Sequence, residues 1–172
     1  MLFVDTNVFL YARHAREVVK QPLAAAWVER AWREQTGRTS IQVLSEYYVN
    51  VTRKIAPALS PDEAWDDVRA LMTWDPLPAD SALLTLGREI ERRYRLSWWD
   101  SLIVGAAQMQ GCALLLSEDL QDGAVFGGVT VRSPFTLAVR EGATRYALPP
   151  LTAGGHPKRG RPRRRSGATV ID

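Results

Sequence analysis

Four of the nineteen acidic residues stand among apolar or aromatic neighbours, where an unpaired carboxylate is costly to bury. Asp5 ends the apolar run LFVD, and Glu46 lies within the segment VLSEYY. Asp100 follows two tryptophans, and Asp119 stands two residues beyond the run ALLLS. Clustered carboxylates repel one another, which raises their pKa values unless a cation compensates. The pattern therefore indicates a site for Mg²⁺ or Mn²⁺, which prefer oxygen ligands and retain bound water.

A site of this kind suits the hydrolysis of a phosphodiester bond. A bound divalent cation lowers the pKa of water and neutralises charge on the phosphate. Four carboxylates can hold one ion or two, so the number of ions stays open. Each acid taken alone has a plainer interpretation as a helix cap or as a member of an ion pair. Glu118 and Asp122 are alternative candidates for the fourth carboxylate.

The elements that must position these acids alternate between short apolar runs and helical periodicity. The predicted strands are 2–5, 38–41, 112–117 and 129–133. The predicted helices are 21–35 and 42–54, and three that begin at the capping residues Ser60, Asp80 and Ser97. This order predicts an α/β fold, a three-layer α/β/α domain with a central, mostly parallel sheet of four to five strands. Sites in such sheets form outside the carboxyl ends of the strands, where the four acids fall.

Composition limits the classes of protein that this chain can represent. It has 172 residues, and its one cysteine, Cys112, cannot form an internal disulfide, which argues against a disulfide-stapled scaffold. One cysteine and two histidines also argue against a zinc site built from these ligands. No stretch approaches the roughly 20 apolar residues of a membrane span. We therefore expect a soluble, cytoplasmic protein without a membrane segment.

Charge is distributed unevenly along the chain. Residues 151–172 hold six basic residues and one acid, whereas the preceding 150 residues hold sixteen basic and eighteen acidic ones. The segment 142–172 is rich in Gly, Pro and Arg and lacks periodicity, so we expect a disordered tail after a folded domain over 1–141. A basic arm on a mildly acidic body indicates a polyanionic partner. The residues expected to bind nucleic acid are Lys158, Arg159, Arg161, Arg163, Arg164 and Arg165.

The four acids lie in four longer segments with a recognisable order. These are FVDTNVFLY (3–11), SIQVLSEYYVNVTRK (40–54), LSWWDSLIVGAA (96–107) and LLSEDLQDG (115–123). Together they resemble the PIN-domain nucleases, and in particular the VapC-type toxins of toxin–antitoxin pairs. The resemblance rests on the succession Asp, Glu, Asp, Asp at family-like spacing, because a single DTN motif would be weak evidence.

The resemblance implies an activity and partners. It implies a Mg²⁺- or Mn²⁺-dependent endoribonuclease that hydrolyses RNA phosphodiester bonds through a metal-activated water. It further implies the toxin of a type II toxin–antitoxin pair, with RNA as substrate, a cognate antitoxin protein that blocks the site, and a second copy in a homodimer.

The resemblance also implies roles for particular residues. The metal pocket would consist of Asp5, Glu46, Asp100 and Asp119. Asp5 and Asp100 would be the most direct ligands, and the family spacing Ser/Thr-x-Asp favours Asp119 over Glu118. Asn7 would orient Asp5 through its amide. Ser40 and Ser117 fall where the family has small hydroxyl residues that line the site.

Other interpretations remain open at the level of sequence. The segment PKRGRPRRR (157–165) resembles an AT-hook, whose extended arginines suit the narrow minor groove of A·T-rich DNA. Because the match spans only a few residues, sequence-independent attraction to RNA or DNA is the favoured alternative. The alternative function is thus a non-catalytic nucleic-acid-binding protein that acts through this tail. Trp98 and Trp99 are candidates either for base stacking or for core packing. A haloacid-dehalogenase-like phosphatase would need a second aspartate where this chain has Asn7.

Overall fold

The computed structural model describes residues 1–137, and within them five strands form one sheet in the order β2-β1-β3-β5-β4. The strands are β1 (Leu2–Val4), β2 (Gly37–Arg38), β3 (Leu114–Leu116), β4 (Val125–Phe126) and β5 (Val129–Arg132). The pairs β2–β1, β1–β3 and β3–β5 are parallel, and only β4 runs antiparallel to its neighbour β5. The predicted mostly parallel sheet of four to five strands is therefore confirmed.

Helices cover the sheet and complete a three-layer α/β/α domain. Within residues 1–137 they are α1 (Thr6–Arg13), α2 (Lys20–Glu34), α3 (Ile41–Arg53), α4 (Pro61–Leu71), α5 (Ser81–Tyr94) and α6 (Trp98–Met109), with a 3-10 turn at Met72–Trp74. Ser60, Asp80 and Ser97 are the N-caps of α4, α5 and α6, as the sequence predicts.

The core is centred on the adjacent strands β1 and β3. Every residue of β1 and β3 is fully buried, because helices cover both faces of the sheet. Helix α6 is buried continuously from Ser101 to Ala107, which explains why its sequence is apolar on nearly all sides. No helix within residues 1–137 is long and apolar enough to cross a membrane.

The structure shortens each of the predicted strands: those predicted over 112–117 and 129–133 are Leu114–Leu116 and Val129–Arg132. The strand predicted over 2–5 stops at Val4, because Asp5 is the N-cap of α1, a helix that the sequence analysis did not predict. The strand predicted over 38–41 is Gly37–Arg38, because Ser40 is the N-cap of α3. The two-residue strand β4 was also not predicted. The boundary at 141/142 and the basic tail lie outside the described residues, so both stay predictions.

Candidate active site

Asp5 occupies the junction where β1 ends and α1 begins. Its Oδ1 accepts a hydrogen bond from the Thr6 backbone N–H at 2.7 Å. Its Oδ2 accepts from the Ser117 hydroxyl at 2.7 Å and from the Asn7 amide at 3.0 Å. The residue is only 7% exposed, so these donors replace the water that the carboxylate has lost. They hold the carboxylate of Asp5 in one orientation.

Asn7 connects the end of β1 to the loop after β3. Its Nδ2 donates to Asp119 Oδ2 at 3.0 Å as well as to Asp5, and it lies 3.2 Å from the Ser117 Oγ. Its Oδ1 accepts from the Glu118 backbone N–H at 3.2 Å. One amide side chain thus brings Asp5 and Asp119 together across 114 positions of sequence separation. These are the contacts that the predicted orienting role of Asn7 requires.

Glu46 joins the same group of acids from helix α3. Its Oε2 accepts from the Thr6 hydroxyl at 2.8 Å, and its Oε1 accepts from the Gln42 amide at 3.0 Å. Thr6 therefore links Glu46 to the start of α1. The sequence analysis missed Thr6, because its contact spans 40 positions and only its place directly after Asp5 hinted at the site.

Burial and mutual repulsion dominate the electrostatics of the site. Burial is the largest cause that raises the pKa of Asp5 to about 6, and the charges of Asp119 and Glu46 raise it further. The hydrogen bonds from Ser117 and Thr6 act in the opposite direction, since they favour the ionised carboxyl. A cation placed among these three acids would offset both the burial and the repulsion.

Asp100, the remaining predicted ligand, is not hydrogen-bonded to Asp5, Asp119 or Glu46 within the described residues. It lies in the first turn of α6, where its Oδ2 accepts from the Ser97 hydroxyl at 2.7 Å and its N–H donates to the Ser97 Oγ at 3.1 Å. This reciprocal cap defines the start of α6. Asp100 is only partly buried, so its carboxylate retains contact with solvent.

Three further sequence candidates make contacts of other kinds. Glu118 forms an ion pair with Lys20. Asp122 accepts from Arg132 Nε at 2.8 Å and from the Ser133 N–H at 2.9 Å, so it connects the loop before β4 to the end of β5. Ser40 Oγ accepts from the Val43 N–H at 3.3 Å, which makes it the cap of the helix that carries Glu46. Within residues 1–137, the hydrogen bonds of the Ser40 side chain do not link it to the group around Asn7.

The donor set fits a hard divalent cation. Among residues 1–137, no three Asp, Glu, His or Cys side chains are grouped as a ready-made cage for a metal ion. Mg²⁺ does not need one, because it is usually held by one or two carboxylates and keeps several waters. Asp5 and Asp119 each supply a carboxylate oxygen that accepts a hydrogen bond from the Asn7 amide, and Asp119 is exposed to solvent. Oxygen ligands of this kind suit Mg²⁺ or Mn²⁺ better than softer metals.

A groove of about 600 Å³ opens beside Glu46, between α3, α5 and α6. Trp98 and Trp99 both line it, with Leu84 and Val49. Trp98 packs partly against the hydrophobic core, whereas Trp99 is 62% exposed. The sequence left base stacking and core packing open for both residues. In the structure Trp98 contributes to packing, whereas Trp99 presents its ring to solvent.

The PIN domain family model matches residues 2–121. The chain belongs to the PIN domain family. Membership of this family supports a nuclease, and PIN-domain nucleases generally use divalent metals. The match covers the segment from β1 to the loop after β3, which contains all four predicted ligands. A search of the curated proteins finds no match.

Three solved structures are similar to this PIN domain at low sequence identity. The structure of FitAB bound to an IR36 DNA fragment has 17% identity and a TM-score of 0.63, over 80% of this chain and 98% of that one. A toxin–antitoxin complex from Klebsiella pneumoniae has 19% identity and a TM-score of 0.54, over 78% and 98%. The Mycobacterium tuberculosis toxin VapC20, which cleaves the sarcin–ricin loop, has 17% identity and a TM-score of 0.48, over 69% and 92%.

Proposed function

We propose that this PIN domain is a metal-dependent endoribonuclease that hydrolyses RNA phosphodiester bonds. The observation that carries the proposal is the pair of carboxylates, Asp5 and Asp119, that converge on the Asn7 amide at the carboxyl ends of β1 and β3. Glu46 adds a third acid through Thr6, and Asp100 is the fourth by the family resemblance. A partly buried, acid-lined site of this kind needs a cation before it can receive a phosphate.

The protein's part in the reaction is to hold oxygen ligands in place. Asp5 and Asp119, with Glu46 and Asp100, would bind Mg²⁺ or Mn²⁺, which supplies an acidified water and neutralises charge on the phosphate. Asn7 and Ser117 orient Asp5 by hydrogen bonds, and Thr6 and Gln42 do the same for Glu46. Such outer hydrogen bonds fix ligand geometry before the substrate arrives.

The biological setting follows from the family resemblance. We propose that the chain is the VapC-type toxin of a type II toxin–antitoxin pair, with a cognate antitoxin as partner and a homodimer as its own assembly. Two structures of similar fold are described as a toxin–antitoxin complex and as FitAB bound to DNA, which supports a partner protein. An RNA substrate is consistent with action in the cytoplasm.

Cleavage of a mixed RNA pool tests the proposal. We expect the wild-type protein to cut RNA with Mg²⁺ or Mn²⁺ and to stop when EDTA is added. Asp119→Asn should lower the rate at least about 100-fold, because it removes a ligand charge at the site. Asp66→Asn is the matched control, since Asp66 is exposed and pairs with Arg69 on the surface of α4. Cleavage that survives both EDTA and Asp119→Asn would refute the assignment.

We also propose that the basic tail attracts nucleic acid to an acidic body. Six cations lie between Lys158 and Arg165, beyond the described residues. If each neutralises one phosphate of a single strand, they add a salt slope of up to roughly −4 to the affinity. Deletion of residues 156–167 separates this role from the alternative function. A nuclease keeps its metal-dependent cleavage and loses affinity, whereas a binding protein that acts through an AT-hook loses all its activity.

A further inference from the structure

Lys20 lies against two aromatic rings beside the candidate active site. It is the first residue of α2, and its ammonium group donates to the Glu118 carboxylate and, at 3.2 Å, to the Tyr11 hydroxyl. The same Nζ lies 4.5 Å from the centroid of the Tyr11 ring and 5.0 Å from that of Phe135. The two rings meet edge to face, with centroids 5.1 Å apart.

This arrangement distinguishes the pair from an exposed surface ion pair such as Arg69–Asp66. The side chains of Lys20 and Glu118 are each 32% exposed, whereas those of Arg69 and Asp66 are each 67% exposed. An exposed ion pair contributes little because water screens it. A lysine held against aromatic rings gains cation–π attraction and loses part of its competing water. The Lys20–Glu118 pair is therefore suited to hold a loop in place.

The loop in question carries a predicted metal ligand. Glu118 stands between Ser117, which donates to Asp5, and Asp119, which accepts from Asn7. The Glu118 backbone N–H is bound to Asn7 Oδ1 at 3.2 Å, and the Glu118 side chain is bound by Lys20. The peptide is thus anchored on two sides, from α1 through its backbone and from α2 through its side chain.

We propose that Lys20 is a positioning residue of the active site, which fixes the Ser117–Asp119 loop through Glu118 so that the Asp119 carboxylate faces Asp5. Its ammonium touches neither Asp5 nor Asp119 in the described contacts, so it acts through the loop. Glu118, which the sequence offered as an alternative ligand, is then the attachment point of this contact. The catalytic consequence rests on the proposed nuclease function, but the positioning itself does not.

Backbone dynamics test the positioning without metal or RNA. We expect ¹⁵N order parameters near 0.85 for Glu118 and Asp119 in the wild-type protein, which is the value of a rigid backbone. Lys20→Met and Glu118→Gln should each lower both values toward 0.6, whereas Lys20→Arg, which keeps the cation, should stay close to the wild type. Arg69→Met is the matched control, because it removes an exposed cation from a surface pair. Unchanged order parameters in Lys20→Met would overturn the proposal.

Metal affinity gives the second measurement. Titration calorimetry with Mn²⁺ should show affinity about three- to tenfold weaker in Lys20→Met and in Glu118→Gln, with no further loss in the double variant, because both changes break the same contact. Additive losses would overturn the shared-contact explanation. If the wild type neither binds Mn²⁺ nor cuts RNA, the nuclease function fails, while the order parameters still decide whether Lys20 positions the loop.

Discussion

The carboxylate of Asp5 combines three properties. It is buried, it accepts hydrogen bonds from three donors, and it lies near two further acids. The donors stabilise its ionised form, whereas burial and the neighbouring charges oppose ionisation. A residue under such opposing influences weakens the folded protein unless a ligand relieves it, which is typical of functional sites.

The raised pKa of Asp5 predicts a pH dependence of stability in the metal-free protein. Its ordinary value is 3.8, and in the folded chain it is about 6. Because the folded value is the higher one, the contribution of this group is fully present below about pH 4 and is lost as the pH rises through 6. Urea unfolding in EDTA should show this loss, at most about 3 kcal/mol, between pH 4 and pH 7.5.

The same experiment has a chemical control. Asp119→Asn removes one cause of the raised pKa and should therefore reduce the loss of stability, whereas Asp66→Asn should not. Mg²⁺ or Mn²⁺ in place of EDTA should restore stability at pH 7.5, because a ligand that binds only the folded state stabilises it. If neither the metal nor Asp119→Asn changed how the free energy of unfolding depends on pH, this account of the site would be contradicted.

Thr6 offers a second prediction at the level of one residue. Thr6→Val keeps the shape of the side chain but removes the hydroxyl that donates to Glu46 at 2.8 Å. We expect RNA cleavage to fall about 10- to 100-fold, because an outer hydrogen bond that orients a ligand is lost. Thr6→Ser keeps the donor and should retain most of the activity. Equal rates for the two variants would show that the hydroxyl does not matter.

At the scale of elements, the site depends on helices that begin directly after strands. The ends of β1 and β3 meet because these strands are parallel neighbours, with Val4 paired to Leu116. Asp5 and Ser117 then follow at adjacent positions on one edge of the sheet. Helix α3, whose N-cap is Ser40, contributes Glu46 to the same site.

Strong local signals explain which elements could be predicted. The apolar runs of β1 and β3 and the caps Ser60, Asp80 and Ser97 are visible in the sequence and are confirmed. Helix α1 escaped prediction because Asp5 is both the end of an apolar run and a cap, so one residue carries two signals. The Thr6–Glu46 and Lys20–Glu118 contacts could not be predicted, because they join residues 40 and 98 positions apart.

The cap of α4 provides a prediction that should affect stability alone. Ser60 and Glu63 form a capping box, in which the Ser60 Oγ accepts from the Glu63 N–H and the Glu63 side chain accepts from the Ser60 N–H. Ser60→Ala should lower the free energy of unfolding by about 1 kcal/mol, measured by urea denaturation. Cleavage at 25 °C should not change, because α4 carries no predicted ligand. A tenfold loss of activity would contradict the assignment of the site to the ends of β1 and β3 and to helix α3.

At the scale of the whole molecule, a single thiol reports on global unfolding. Cys112 is 4% exposed, and burial raises the pKa of its thiol to about 11. At pH 8 the folded protein should therefore react very slowly with a thiol reagent, and denaturant should expose the thiol in one cooperative step. Rapid labelling without denaturant would show that the segment between α6 and β3 opens locally.

The whole chain combines a mildly acidic body with a strongly basic tail. The acids at the sheet edge are suited to bind a cation, and the tail is suited to attract the polyanion that the cation would act on. The three-layer domain and its family are established, whereas the ligand set, the substrate and the partners are proposals that the acids and their hydrogen bonds support.

The rate of RNA cleavage as a function of Mn²⁺ concentration tests the central claim most directly. We predict a rate indistinguishable from zero in EDTA, which rises to saturation with Mn²⁺ in the wild type. Asp119→Asn should shift half-saturation at least about tenfold upward or abolish cleavage, and Asp66→Asn should match the wild type. A rate that does not depend on Mn²⁺, or that Asp119→Asn leaves unchanged, would contradict the assignment of these acids to a metal-dependent nuclease site.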